Sequence, residues 1–505
     1  MRPSHISILI LLSLSSSCDA TALSNWINSD DGPWDQFQLW MSSVIFGWRG
    51  KALSKDETFT DTGAEVFAIT FSDQDLAHHA DPSVLLDSLN ITKVTQLNGI
   101  NGNSKNRYVW SMALDDDDGL YVGTLNQLHD PANLTSLIWS VMTAPRLQQF
   151  DAMVDTLLRQ WSGLPISENE GAEIYYKAAD SQEFQQKLQT SSQIVGFRKM
   201  VNYDGDIYAG SANGPDGPFD GASYDFDTLY SQGSGAKIYT NAGGNGTFQM
   251  LDDLGTLDSR DKTIRGMVVS SYSNRLFMGT EASKCAKVVI YDKSTGVWKK
   301  IEMDGDLCTH SVSQLYDLGD GKILFGVWKT LGYGVFMLDE TDGDSLTELN
   351  TPQWWYHLSC GVMEIRVFND QLYVGVLSFV RGFALIRTQK VNDLLNLDDG
   401  DWELITGSGF GVQQREHFGE RQQGNDYTWS SADVNGIYFI GTFAGSSRDD
   451  RAQLWASTDG ADWRIVESEV FDASRFMYGF RTMEVTSDQK TIYIGSAVNL
   501  YLPDE

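Results

Sequence analysis

Two short stretches of this chain are near-copies, Gly196-Phe197-Arg198-Lys199-Met200 and Gly479-Phe480-Arg481-Thr482-Met483, and Arg265 stands at the matching place in a third. Three guanidiniums brought to one mouth would make a planar, bidentate receptor for carboxylate or sulfate. They stand out in a chain whose 68 acidic and 37 basic residues leave a formal charge of −31. At the same position, other copies of the pattern carry Trp110, Ser313, Glu364 and Trp429, with the register of the fifth copy open by one residue. Two further segments are rich in chemistry, Trp354-Trp355-Tyr356-His357 and Arg415-Glu416-His417-Phe418-Gly419-Glu420-Arg421. An arginine that neutralises a uronate lowers the barrier to removing its α-proton, with His357 or His417 and Tyr356 as base and acid. That would be a polysaccharide lyase or a related hydrolase. The same residues equally suit a non-catalytic, lectin-like or protein-interaction surface, with Trp354 and Trp355 as stacking platforms. The repeated arginines could also simply tie one copy to the next. The sequence contains no nucleophile elbow, metal-ligand spacing or nucleotide loop.

The elements that would position these residues recur seven times. Each copy ends in an apolar, aromatic strand closed by glycine, as in Leu120-Tyr121-Val122-Gly123-Thr124, Leu276-Phe277-Met278-Gly279-Thr280 and Ile492-Tyr493-Ile494-Gly495-Ser496. Six copies continue into a second hairpin, and the seventh runs out near the C-terminus. Its missing half lies at the other end of the chain, in Gly63–Ile69 and Ile91–Leu97. Stacked four-strand units that close on themselves leave few edges. The reading is therefore all-β, a seven-bladed β-propeller over residues 63–499 with N-/C-terminal ring closure. Two or three separate β-sandwiches are the alternative. Apolar residues at helical spacing from Leu147 to Trp161 predict a helical insert in blade one, about residues 131–162. Residues 21–62 would pack on the propeller and 500–505 form a tail.

Residues 1–20 read as a secretory signal, with the apolar run Ile6–Leu12 and small residues before a cut after Ala20. A bacterial lipoprotein anchored through Cys18 is the alternative. Asn90, Asn133 and Asn245 head acceptor sequons for glycosylation. Cleavage leaves Cys285, Cys308 and Cys360, and an oxidising compartment favours a bridge, Cys285–Cys308 or Cys308–Cys360. The acidic surface excludes nucleic acid and anionic membranes as partners, and no later stretch is long enough to span a bilayer. An anionic glycan or a secreted protein is the expected partner. No cofactor is indicated, although acidic turns such as Asp115–Asp118, Asp339–Asp344 and Asp398–Asp401 could hold Ca²⁺.

Strands ending Tyr-Val-Gly-Thr, and Leu454-Trp455 followed by Asp459-Gly460-Ala461-Asp462-Trp463, resemble the repeats of secreted kelch-like and sialidase-like propellers. The resemblance implies the architecture. It carries no catalytic residue with it, because the Asp-box here is one residue short and the kelch Gly-Gly doublet is absent.

Overall fold

The computed structural model describes residues 63–498, apart from 79–80, 96–99, 104–105, 127–170, 192, 214–234, 243–245, 283–284, 304, 310, 330–331, 353–360, 378–381, 411–424, 426, 444–451 and 473–476. The expected signal, N-terminal segment, helical insert and tail lie outside the described residues. So do Cys18, Asn133, Asn245, Trp354, Trp355, Tyr356, His357, Cys360 and His417.

The described chain is predominantly β. β1 (Val66–Thr70) and β2 (Asn90–Lys93) come first, followed by six antiparallel groups. These are β3–β6 (Asn106–Leu114, Leu120–Asn126, Glu173–Lys177, Gln185–Gln189) and β7–β10 (Ile194–Tyr203, Asp206–Asn213, Ile238–Thr240, Gln249–Met250). Next are β11–β14 (Asp261–Val269, Leu276–Ala282, Lys287–Asp292, Val297–Glu302) and β15–β18 (Ser311–Gly319, Lys322–Trp328, Tyr333–Asp339, Ser345–Glu348). The last two are β19–β22 (Val362–Phe368, Gln371–Val376, Ala384–Thr388, Glu403–Thr406) and β23–β26 (Tyr427–Val434, Ile437–Phe443, Leu454–Ser457, Arg464–Ile465). β27 (Met477–Val485) and β28 (Thr491–Val498) end the described chain, and β28 pairs with β1, Val66 opposite Gly495 and Thr70 opposite Thr491. β1 in turn pairs with β2, so strands from both ends of the sequence share one four-strand group. Two short helices join β1 to β2, α1 (Asp73–His78) and α2 (Pro82–Asp87), the second capped by Asp81, whose carboxylate accepts from Ser83 N. Neither helix has an apolar period long enough to be read from sequence.

Turn chemistry sets the hairpins. Asp204-Gly205, Asp320-Gly321, Asn369-Asp370 and Asn435-Gly436 all take positive φ at both central positions, the two-residue turn whose twist matches the flanking strands. Burial then falls across each group. The second strands are almost wholly buried, whereas outer strands such as β14 and β6 are mostly exposed.

The apolar core is divided among the gaps between consecutive groups. Phe67, Ile494 and Phe480 meet Phe439 and Ala456, for example, and Tyr373 and Leu385 meet Tyr438 and Ile440. The recurrent glycine of the second strand sits where the next group's first strand presses close. A Cβ on Gly210 would lie 2.4 Å from Ile264 Cβ, and one on Gly495 would lie 2.3 Å from Val109 Cγ1. The first strands touch in order, β3 on β7, β7 on β11, β11 on β15, β15 on β19, β19 on β23, β23 on β27, and β27 on β3.

Candidate functional site

The arginine position is a β-bulge. In β3, β7, β11, β15, β23 and β27 the register against the second strand shifts at this position, and the residues skipped there are Trp110, Arg198, Arg265, Ser313, Trp429 and Arg481. An inserted residue bends its strand and re-aims its side chain. In β19 the skipped residue is Met363, while Glu364 pairs opposite Gly375. Glu364 is therefore not the register equivalent of the arginines. It stands one residue further along the strand.

All seven anticipated residues nonetheless line one cavity of about 160 Å³, together with Lys199, Gln314, Met363, Arg366, Ser430, Ser431, Thr482, Met483 and Glu484. Every one of these residues comes from a first strand. The long segments 127–170, 214–234, 353–360 and 411–424 all attach at the end of these groups where second strands finish and first strands begin.

The two near-copies have a shared local explanation. Trp110 lies against Gly196 of the following group, where a Cβ would come within 2.1 Å of its ring, and the Arg198 guanidinium stands 5.2 Å from the Trp110 ring centre. Trp429, Gly479 and Arg481 repeat the arrangement at 2.1 Å and 5.1 Å. Arg265 stacks on Trp328 at 4.0 Å instead. Tyr108 meets Trp110 and Trp429 edge-on, joining the two clusters.

Glu281, near the end of β12, ties two of the arginines. Its Oε2 accepts from Arg198 Nη1 at 3.2 Å and from Arg265 Nη1 at 3.3 Å. Arg198 Nε is buried with no hydrogen-bond partner among the described residues. Arg366 is fully engaged, donating to Ser431 Oγ (3.2 Å), Ser431 O (2.7 Å) and Asp433 Oδ1 (3.0 Å). Ser313 is also structural, its hydroxyl lying against the carbonyls of Gly326 and Val362.

Two carboxylates complete the lining. Glu364 is 3% exposed and accepts from Gln314 Nε2 at 3.4 Å. Burial pushes it above the usual carboxylate range, with Arg366, Ser431 and Lys199 pulling it back. Glu484 keeps some contact with the lumen, yet burial pushes it up to about 7 against the pull of Lys199 and Arg366. Lys199 makes no ion pair among the described residues.

Sequence reasoning missed Lys199, Arg366, Glu484 and Glu281. The first three stand one or three places beyond their bulges; period two from Glu364 finds Arg366, but the bulge shifts the alternation so that period two from Arg198 and Arg481 passes over Lys199 and Glu484. Glu281 lies on a second strand and carried no such signal.

Elsewhere, Cys285 and Cys308 form the disulfide, their Cα atoms 5.0 Å apart. Asn90 is exposed on β2, its amide donating to Thr70 Oγ1. Several carboxylates of the acidic turns are engaged internally. Asp115 accepts from Gly119 N, Asp344 pairs with Arg275 and Lys299, and Asp398 and Asp401 form a capping box. Among the described residues, no three His, Cys, Asp or Glu side chains converge as metal ligands. No described helix is long and apolar enough to cross a membrane.

No family model and no curated protein matches the chain. Among solved structures, a Lactobacillus plantarum protein is similar over 81% of this chain and 96% of its own, at 13% identity and TM-score 0.42. A 6-phosphogluconolactonase candidate from Bacteroides uniformis covers 80% and 96% at 8% identity and TM-score 0.42. A Dyadobacter fermentans protein of unknown function covers 78% and 96% at 9% identity and TM-score 0.38. At such scores the architecture rests on the strand pairings, not on these likenesses.

Proposed function

We propose that the chain is a secreted, closed seven-bladed β-propeller that binds an anionic ligand, a carbohydrate acid or sulfate, in its central channel. Continuous packing of the first strands, with apolar clusters between consecutive groups, supports the ring over separate sandwiches. The disulfide fits an oxidising compartment, and exposed Asn90 fits a glycan acceptor. The observation that carries the ligand reading is five cationic side chains, Arg198, Lys199, Arg265, Arg366 and Arg481, against two carboxylates in one cavity of a strongly acidic protein. About 160 Å³ is well below the roughly 300–1,000 Å³ of sites that enclose a whole drug-sized ligand. The channel therefore suits one anionic group, such as the carboxylate or sulfate of a terminal sugar. Lyase or hydrolase chemistry would draw on His357, His417 and Tyr356. Without it the protein is a lectin-like or protein-interaction module.

Arg198→Lys and Arg481→Lys keep the charge and lose the planar fork. Each should weaken glucuronate or sulfate binding roughly 10-fold in calorimetry with little change in Tm. A lowered Tm in both variants, with no anion binding by the parent protein, would mean that the arginines are inter-blade ties only. Ultraviolet absorbance of unsaturated products from uronate-rich polysaccharides separates lyase from lectin.

A further inference from the structure

Glu364 and Glu484 are an awkward pair for an anion site. They sit on β19 and β27 and line the cavity with Arg198, Arg265 and Arg481; neither makes an ion pair among the described residues, and the cations that act on both are Arg366 and Lys199. The cation nearest in chemistry, Arg366, is already spent on Asp433 and Ser431. Lys199 is in electrostatic contact with both carboxylates and in no ion pair among the described residues. An incoming anion must compete with Glu364 and Glu484 for Lys199 while lying beside their negative charge.

We propose that anion binding in this channel is coupled to proton uptake by the Glu364–Glu484 pair, so that the site takes its anion in a mildly acidic medium and releases it in an alkaline one. The proposal rests on the channel being an anion site. Reciprocity requires the coupling to run both ways, a bound anion holding the proton as firmly as the proton holds the anion.

The surroundings of Glu484 leave few other groups to carry the effect. Arg481 and Thr482 share its strand, and Tyr493 of β28 lies opposite it in register. The strands packed on either side, β3 and β23, contribute Trp110, and Trp429, Ser430 and Ser431, to the cavity. Asp433 on β23 is held by Arg366. Across the channel stand Lys199, Glu364 and Arg366. Of these groups, Glu484 and Glu364 are the carboxylates that line the cavity. Burial raises both, Glu484 to about 7, which puts the transition in the physiological range. Because the shift is upward, Glu484 is neutral and permissive below about pH 7, and charged and repulsive above it.

Sulfate is the probe, because its charge is constant between about pH 5 and 9. Calorimetry on the full chain should show roughly 10-fold tighter binding at about pH 5.5 than at about pH 8.5. Titration near pH 7 in two buffers of different ionisation heat should show net proton uptake. Glu484→Gln should abolish the uptake and flatten the pH dependence, and Glu364→Gln should weaken both. Sulfate that binds equally at both pH values without uptake overturns the coupling and leaves the anion site standing. No sulfate binding at either pH overturns both. Uptake unchanged in Glu484→Gln and Glu364→Gln assigns the proton to other groups, His357 or His417 first among them, and also overturns the proposal. Should one variant fail to fold, loss or retention of the uptake in the other still decides.

Discussion

A single missing methyl sets the geometry at two points of the channel. Gly196 and Gly479 leave room for Trp110 and Trp429, and those rings in turn carry Arg198 and Arg481. Gly196→Ala and Gly479→Ala should each cost about 1–3 kcal/mol in urea unfolding, because the ring, not a flexible tip, would have to move. Both should also loosen anion binding, since the stacked guanidinium loses its platform. Glu484 makes a second prediction, about stability. A carboxylate raised to about 7 keeps its proton in the folded state at pH values where the unfolded chain, near 4.5, has lost it. Stability should therefore fall as pH rises through that window, and the penalty is complete above it. Glu484→Gln should raise Tm by roughly 1–3 °C at pH 8, the lumen's water keeping the effect small, and leave it near the parent value at pH 4.5. Residue identities along the inner strands were readable because the near-copies repeat. The off-by-one at Glu364 was not, since a bulge adds a residue without changing the apolar pattern that sets register.

The strands and their turns were the most legible elements. Asp-Gly and Asn-Gly pairs between alternating runs specify a hairpin locally, and β7–β8, β15–β16 and β23–β24 follow that signal. The short helices α1 and α2 were not legible. The helical form of α2 owes more to burial of Leu85 and Leu86 in the cluster that holds Phe439 and Ile492 than to intrinsic preference. The bridge between Cys285 and Cys308 was one of two alternatives, and the antiparallel β13–β14 hairpin decided it by bringing its own flanks together. It closes a loop with a sequence separation of 23. Cys285→Ser with Cys308→Ser should lower unfolding free energy by about 3 kcal/mol through the gain in unfolded-chain entropy, read from denaturant curves.

At the scale of the whole molecule, the split group is what the termini decide. β1 covers the edge of β28 along five paired residues, from Val66 to Thr70. Removing residues 63–95 should expose that edge and the apolar faces of Phe67 and Ile69's former partners, giving aggregation or a broad, early melt in scanning calorimetry. An unchanged, single sharp transition would refute the closed ring. The pairing of β1 with β28 was legible because the sequence holds two complementary half-motifs, whereas the cavity's charge balance was not. It depends on Glu281 and Asp433, which reach the site from positions the repeat does not mark.

Time enters through the same pairing. Of the described strands β1 leaves the ribosome first and β28 last, some 400 residues later. At ordinary elongation rates that interval is roughly 20 to 80 s. Throughout it the opening strands have no native neighbour on one side, so this chain must spend most of its synthesis with an unsatisfied edge. A ribosome paused just before residue 491 should therefore hold a nascent chain that is protease-sensitive from end to end, and release of the last hairpin should convert it to the resistant form in one step.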